Sequence, residues 1–270
     1  MPSYVVTGVS KGLGFEFLRQ LSADPNNLVV GIVRGKAATE KKVAEEIGSR
    51  PNIHIVYADL TKYETIKAAA EETAKITGGS LDYLIANGAY NSLFDAYYPV
   101  SVIGEKPKEL EDVALELFRT NALGQLHLFN AFTPLLLKGN VKKAIALSSA
   151  QSDLDFINDV GVEVSALYSM SKAALNVVVA KFSAQYKKEG VLFLGICPGS
   201  VDVGHYKDAT PEQIQGLGGF FGALAQYAPD FKGPVSPEVA VKSIVQVWEN
   251  ATAEKDGGKF VSHKGNKQWL

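Results

Sequence analysis

Short, continuous apolar runs alternate with helical segments along almost the whole chain, and that rhythm leaves few folds open. The runs are Tyr4-Val5-Val6, Leu28-Val29-Val30-Gly31-Ile32-Val33, Ile53-His54-Ile55-Val56-Tyr57 and Leu81-Asp82-Tyr83-Leu84-Ile85-Ala86. They continue with Lys143-Ala144-Ile145-Ala146-Leu147-Ser148, Val191-Leu192-Phe193-Leu194-Gly195-Ile196 and a short Lys259-Phe260-Val261-Ser262. A strand with one wet face alternates apolar and polar residues, whereas a strand covered on both faces is apolar throughout. Between the runs the patterning predicts helices near Gly14 to Ser22, Thr39 to Ile47, Tyr63 to Ile76, Leu110 to Leu137 and Pro237 to Asn250, with another around Tyr168 and Lys172. Strand and helix in regular alternation predict an α/β fold with a doubly wound parallel sheet and helices on both faces.

With 270 residues and no linker, repeat or low-complexity tract, the expected organisation is one domain over residues 1–270. The net charge of −2 carries no basic footprint for nucleic acid or an anionic membrane. Cys197 is the only cysteine, so no disulfide forms within the chain, and the four scattered histidines show no metal-ligand spacing. His54, His127, His205 and His263 read as surface or satisfied core residues, and Cys197 as a small buried apolar one. No apolar run is long enough to span a bilayer, and with a strand beginning almost at Met1 no signal or transit segment is expected. The expected compartment is the cytoplasm. Two stretches break the rhythm, Tyr90 to Lys108 and Gly204 to Gly233. Both follow strand ends, where ligands bind in such sheets, and residues 204–233 are the expected substrate lid.

The segment Thr7-Gly8-Val9-Ser10-Lys11-Gly12-Leu13-Gly14 joins the first strand to the first helix. Glycines let a backbone approach a pyrophosphate closely, and the helix N-terminus then meets its negative charge. An NAD-selective site would carry a carboxylate about 20 residues further on for the ribose 2′-hydroxyl. This chain instead has Val33-Arg34 at the end of the second strand, and Arg34 can pair with a 2′-phosphate. Lys11 adds a second positive charge, so NADP(H) is favoured.

Far downstream stands Tyr168-Ser169-Met170-Ser171-Lys172. Residues four apart share a helix face, so Lys172 can lie beside the Tyr168 hydroxyl. A phenol ionises near pH ~10, and a neighbouring ammonium favours its phenolate. Such a tyrosine can exchange a proton with a carbonyl or alcohol. Together with the glycine turn, this points to hydride transfer between a nicotinamide cofactor and a carbonyl group.

On these motifs and their separation, the chain resembles the short-chain dehydrogenase/reductase family over essentially its whole length, most closely the fungal NADP-dependent carbonyl or ketoreductases. The resemblance implies a Rossmann fold and a catalytic tetrad of Asn121, Ser149, Tyr168 and Lys172. Ser148 is the alternative serine if the register is off by one. Asn121 would kink the long helix and hold a catalytic water. Asp59-Leu60 would lie near the adenine, Asn87 and Gly88 beside the nicotinamide ribose, and Pro198-Gly199 beneath the nicotinamide. The run Ser200-Val201-Asp202-Val203 lacks the family's threonine, so Ser200 or a backbone group must substitute; Val201 is counted with the cofactor site. The family's Asn-Asn-Ala-Gly reads Ala86-Asn87-Gly88-Ala89 here, and the interval from Ser149 to Tyr168 is long, implying an extra loop over Asp153 to Val164.

The expected activity is NADPH-dependent reduction of a ketone or aldehyde; oxidation of a secondary alcohol differs only in direction. Aromatic residues in the two irregular stretches (Tyr97, Tyr98, Phe220, Phe221, Tyr227, Phe231) favour an apolar or aromatic substrate. The alternative is a family member that binds NADP(H) as a redox sensor, a regulator or a non-redox cyclisation catalyst. By the family's habit the protein is a homodimer or homotetramer. Leu123, Leu126, Phe129, Ala174, Val177, Val178 and Phe182 could then be interface or core.

Overall fold

The computed structural model describes residues 1–204, 207 and 209–270, so His205 lies outside the described residues. Seven strands form one parallel sheet: β1 Ser3–Thr7, β2 Leu28–Val33, β3 Ile53–Tyr57, β4 Tyr83–Ala86, β5 Lys143–Leu147, β6 Leu192–Cys197 and β7 Phe260–Ser262. Their order is β3-β2-β1-β4-β5-β6-β7, so the winding reverses between β1 and β4. A crevice opens at such a reversal, beyond the carboxyl ends of the strands.

The helices are α1 Gly12–Leu21, α2 Lys36–Glu46, α3 Tyr63–Ile76, α4 Val100–Ile103, α5 Pro107–Phe118 and α6 Gly124–Leu136, followed by α7 Leu154–Val160 and α8 Ala166–Tyr186. Then come α9 Pro211–Gly216, α10 Gly218–Tyr227, α11 Pro237–Asn250 and α12 Ala253–Asp256. One face of the sheet buries Val5, Leu84, Ala144 and Phe193 under α3, α6 and α8. The other buries Tyr4, Val6, Tyr83, Ile85, Ile145 and Leu194 under α1, α2 and α11. Successive residues of a strand point to opposite faces, and both faces are covered, which is why the runs are apolar without alternation.

The long helix is interrupted between α5 and α6 by a π-helical turn at Arg119–Leu123 that contains Asn121, the position where the resemblance implied a kink. Three features differ from the sequence expectation. The stretch from Tyr90 to Lys108 holds α4 and the start of α5. The expected lid segment holds α9 and α10, and the expected extra loop after Ser149 holds α7. Short helices of this kind lack a periodic pattern long enough to read. Among the described residues no helix is long and apolar enough to cross a membrane.

Phe129 and Phe182 are core residues, with ring centroids 5.3 Å apart and Phe193 beside both. Leu126 and Val178 pack partly against them, whereas Leu123 and Val177 are exposed. Phe129→Ala should lower stability by about 3–5 kcal/mol, because the ring's partners on α8 and β6 cannot collapse into the space. Chemical denaturation of the two proteins side by side would measure it.

Candidate active site

The phosphate-binding turn is built by local geometry. Gly8 and Gly12 have φ of 74° and 57°, in the left-handed region that side chains disfavour. A Cβ on Gly8 would lie 2.7 Å from Gly88 Cα, and one on Gly14 would collide with the Gly8 carbonyl. α1 therefore begins hard against the end of β1. Its N-cap, Lys11, makes no side-chain capping bond, and its first turn carries no acidic residue. Free N–H groups at a helix start, in a cradle that a Cβ would fill, fit the pyrophosphate of a dinucleotide.

Around the turn, Asn87 Nδ2 donates to the Thr7 carbonyl at 2.8 Å, and Gly88 N–H donates to the Thr7 hydroxyl at 2.8 Å. Leu60 packs beside Gly88, and Val203 beside Gly12. Ser10 and Lys11 are exposed, as is Arg34 just beyond β2. Burial alone would raise the Asp59 pKa, but hydrogen bonds from the Thr61 N–H and hydroxyl, with the Arg34 charge, bring it below the usual carboxylate value. Arg34 thus belongs to the same rim as Asp59. Lys42, which the sequence did not single out, donates to the Ser10 carbonyl at 3.3 Å and lies 4.3 Å from the Phe15 ring centre. Only the packing of α2 brings it there.

The four tetrad candidates come from three elements. Tyr168 and Lys172 stand one turn apart on α8, with the Lys172 ammonium 5.7 Å from the Tyr168 ring centre. Lys172 is buried and donates to the Leu147 carbonyl, the last residue of β5, at 2.7 Å. Burial lowers its pKa to about 8, against an opposing contribution from Cys197. At neutral pH the ammonium still carries its proton. Asn121 is fully buried in the π-helical turn; it accepts from Tyr90 N–H and donates to the Tyr90 carbonyl, both at 2.8 Å. It also donates to the Ser171 hydroxyl at 3.0 Å, which donates to the Tyr168 carbonyl at 2.7 Å.

Ser149 is half-buried and caps a short 3₁₀ turn, its hydroxyl accepting from Gln151 N–H at 3.3 Å. The Ser148 hydroxyl is instead buried, 3.4 Å from that of Ser152. Ser152 donates to the Ser149 carbonyl at 2.6 Å and accepts from Asn176 at 2.9 Å. Asn176 lies one turn past Lys172, so α8 holds the serine segment as well as the strand end.

Two further residues hold this centre in place, a role the sequence reading gave to neither. The Asp95 carboxylate accepts from Leu167 N–H at 2.9 Å and Tyr168 N–H at 3.1 Å, capping α8 where Tyr168 sits. It is 73 residues from Tyr168, with no local pattern to mark it. Cys197 is buried as expected, but its sulfur accepts from Ala150 N–H at 3.2 Å and Gly199 N–H at 3.4 Å, linking the serine turn to Pro198-Gly199. Burial pushes its thiol pKa up. Gly199, at φ 77°, is packed against the His263 ring, where a Cβ would lie 2.7 Å from Nδ1. His263 Nδ1 is buried and finds no partner among the described residues, contrary to the expected satisfied histidine; burial lowers its pKa. Val201 forms a parallel bridge with Val235, and Ser200 supplies its carbonyl to Val235 N–H.

The aromatic residues of the two irregular stretches divide. Tyr97 is packing, buried with Ala96, Val164 and Leu217, whereas Phe221 and Tyr227 are exposed. Tyr98 and Phe94 lie in the cluster that includes the Tyr168 side chain. Phe156 of α7 meets Tyr227 edge-on at 5.2 Å. A cavity of about 580 Å³ lined by Tyr227, Phe231 and His263 lies beside Pro198-Gly199, but none of the tetrad candidates lines it. Among the described residues, no group of His, Cys, Asp and Glu side chains could hold a metal ion.

The pattern of the family described as short chain dehydrogenase matches residues 3–214. The short chain dehydrogenase virK of Hypocrea virens is 57% identical over 271 residues, covering 100% of both chains. The short-chain dehydrogenase/reductase iacC of Pestalotiopsis fici is 58% identical over 272 residues, again covering 100% of both. Among solved structures, the NADPH-bound carbonyl reductase from chicken fatty liver superposes with a TM-score of 0.76 at 24% identity, covering 98% of each chain, a likeness of fold. Glycine turn, parallel sheet and Tyr-Lys helix all agree with that match: the chain belongs to the short-chain dehydrogenase/reductase family of nicotinamide-dependent oxidoreductases.

Proposed function

We propose that this protein is an NADPH-dependent carbonyl reductase, turning a ketone or aldehyde into an alcohol. The observation that carries the reading is the buried Lys172 ammonium, held at the β5 end beside the Tyr168 ring and just before Ser149. Arg34, Lys11 and Lys42, around a turn with no carboxylate at the end of β2, favour the 2′-phosphate of NADPH over the free hydroxyl of NADH. Bound there, NADPH would supply the hydride that reduces the carbonyl carbon.

Ser149 and Tyr168 hydroxyls would both donate to the carbonyl oxygen and stabilise the negative charge that grows on it. Ser149 is preferred to Ser148 because the Ser148 hydroxyl is turned inwards to Ser152. Tyr168 then delivers its proton to the alkoxide, completing the alcohol. The Lys172 charge favours the tyrosinate left behind, and Asn121, tied to the tyrosine helix through Ser171, would serve its reprotonation through water. Ser200 and Val201 would line the nicotinamide side of the site.

Phe221 and Tyr227 on the lid favour an apolar or aromatic substrate, the lid being residues 204–233 of a single domain. Leu115, Phe118, Met170 and Val177 are exposed on α5 and α8, which pack together, and this surface supports a homodimer or homotetramer. The proposed compartment is the cytoplasm, where the free thiol of Cys197 stays reduced.

Three outcomes are expected. Tyr168→Phe should bind NADPH as the parent does and lose about 10²–10⁴-fold in turnover on a panel of aryl ketones, diketones, quinones and aldehydes; equal turnover would remove Tyr168 from the mechanism. Unimpaired NADPH binding with no turnover by the parent protein would instead support the sensor or cyclisation role. Arg34→Ala should weaken NADPH about tenfold and leave NADH nearly unchanged, as a titration with each would show. Lys172 is charged below about pH 8 and neutral above it, so kcat/KM for reduction should fall as pH rises through that value. A pH–rate profile flat to pH 10 would contradict this role for Lys172.

A further inference from the structure

Gly88 stands where the family pattern has alanine, and the structure shows what holds the chain there. A Cβ on Gly88 would lie 3.1 Å from Leu60 Cδ1, 3.2 Å from the Thr7 hydroxyl and 3.3 Å from Gly8 N, all tighter than ordinary contacts. Glycine relieves that crowding but leaves the backbone free to move. Its N–H is fixed by Thr7, and Asn121 fixes both backbone groups of Tyr90. The Gly88 carbonyl is held by Gln125, whose Nε2 donates to it at 2.6 Å.

Gln125 follows Asn121 by one helical turn. The two buried amides thus read alternate residues, 88 and 90, of the segment that runs out from β4 past the glycine turn. We propose that Gln125 is a cofactor-positioning residue, holding residues 87–90 in the conformation that NADPH binding requires. The inference rests on the cofactor reading above and adds to it a residue outside the tetrad and the glycine turn.

The energetics of the side chain support this role over simple packing. Gln125 is 1% exposed, and its Oε1 is buried without a donor among the described residues. Reversing the amide would set that oxygen against the Gly88 carbonyl, so the observed orientation is the one the site permits. A buried acceptor left unmet is unfavourable, and a methionine of similar length would fill the space without it. The amide therefore serves the segment it holds more than the stability of the core.

The test is a fluorescence titration of NADPH against the parent protein, Gln125→Met and Gln125→Asn, with thermal midpoints measured on the ligand-free proteins. The expected result is that Gln125→Met binds NADPH about tenfold more weakly while its midpoint stays close to the parent's or rises. Gln125→Asn, one methylene too short to reach Gly88, should also bind more weakly, and it decides the matter if the methionine variant does not fold. Parent-like NADPH affinity in the folded variants would overturn the proposal, whatever happens to the midpoint. A parent protein that binds neither NADPH nor NADH would overturn the cofactor reading itself, and this inference with it.

Discussion

A lysine ammonium placed in the interior must find an acceptor, because burying an unpaired charge is among the most unfavourable events in folding. Lys172 finds the Leu147 carbonyl, and the bond bolts α8 onto the end of β5. Most of the candidate site follows from that one attachment. Tyr168 lies one turn before it, Ser149 two residues beyond Leu147, and Asn176 one turn after it on the bridge to Ser152. The same burial lowers the lysine's pKa to about 8, so the charge that would assist the tyrosine is kept close to its limit of ionisation.

Beyond the last paired residues of β4, β5 and β6, the backbone loses its ladder partners, yet its N–H and C=O groups still need satisfying. Side chains from other elements take over. Thr7, Asn121 and Gln125 hold the chain after β4; Lys172 and Ser152 hold the chain around and after β5; the Cys197 sulfur links the turns after β5 and β6. The π-helical turn at Arg119–Leu123 belongs to this scheme. An extra residue in a helical turn redirects the side chains around it, and here both amides of Asn121 and Gln125 reach the β4 segment.

The nineteen residues from Ser149 to Tyr168, which hold α7, leave the two candidate donors only loosely tied through the chain. Noncovalent ties fix them instead: Asp95 caps the start of α8, and Ser152 with Asn176 holds the serine turn against the same helix. Phe156 anchors α7 itself against Tyr227 and Trp269.

Much of this was legible in the linear chain because its signals are local. Apolar runs report two-sided burial, a glycine turn reports a strand meeting a helix, and Tyr168 with Lys172 reports one helix face; each spans only a few residues. Hence the parallel sheet, the family and the elements that carry the candidate site's motifs could all be read from the sequence. What the tertiary structure decided involves residues far apart in the chain. Lys42 and Ser10 are 32 residues apart, Gln125 and Gly88 are 37 apart, and Asp95 and Tyr168 are 73 apart. The same holds for the inward turn of Ser148, the burial of Tyr97 and the His263 nitrogen without a partner among the described residues. No periodicity encodes such pairs, because their contact depends on how whole helices dock on the sheet.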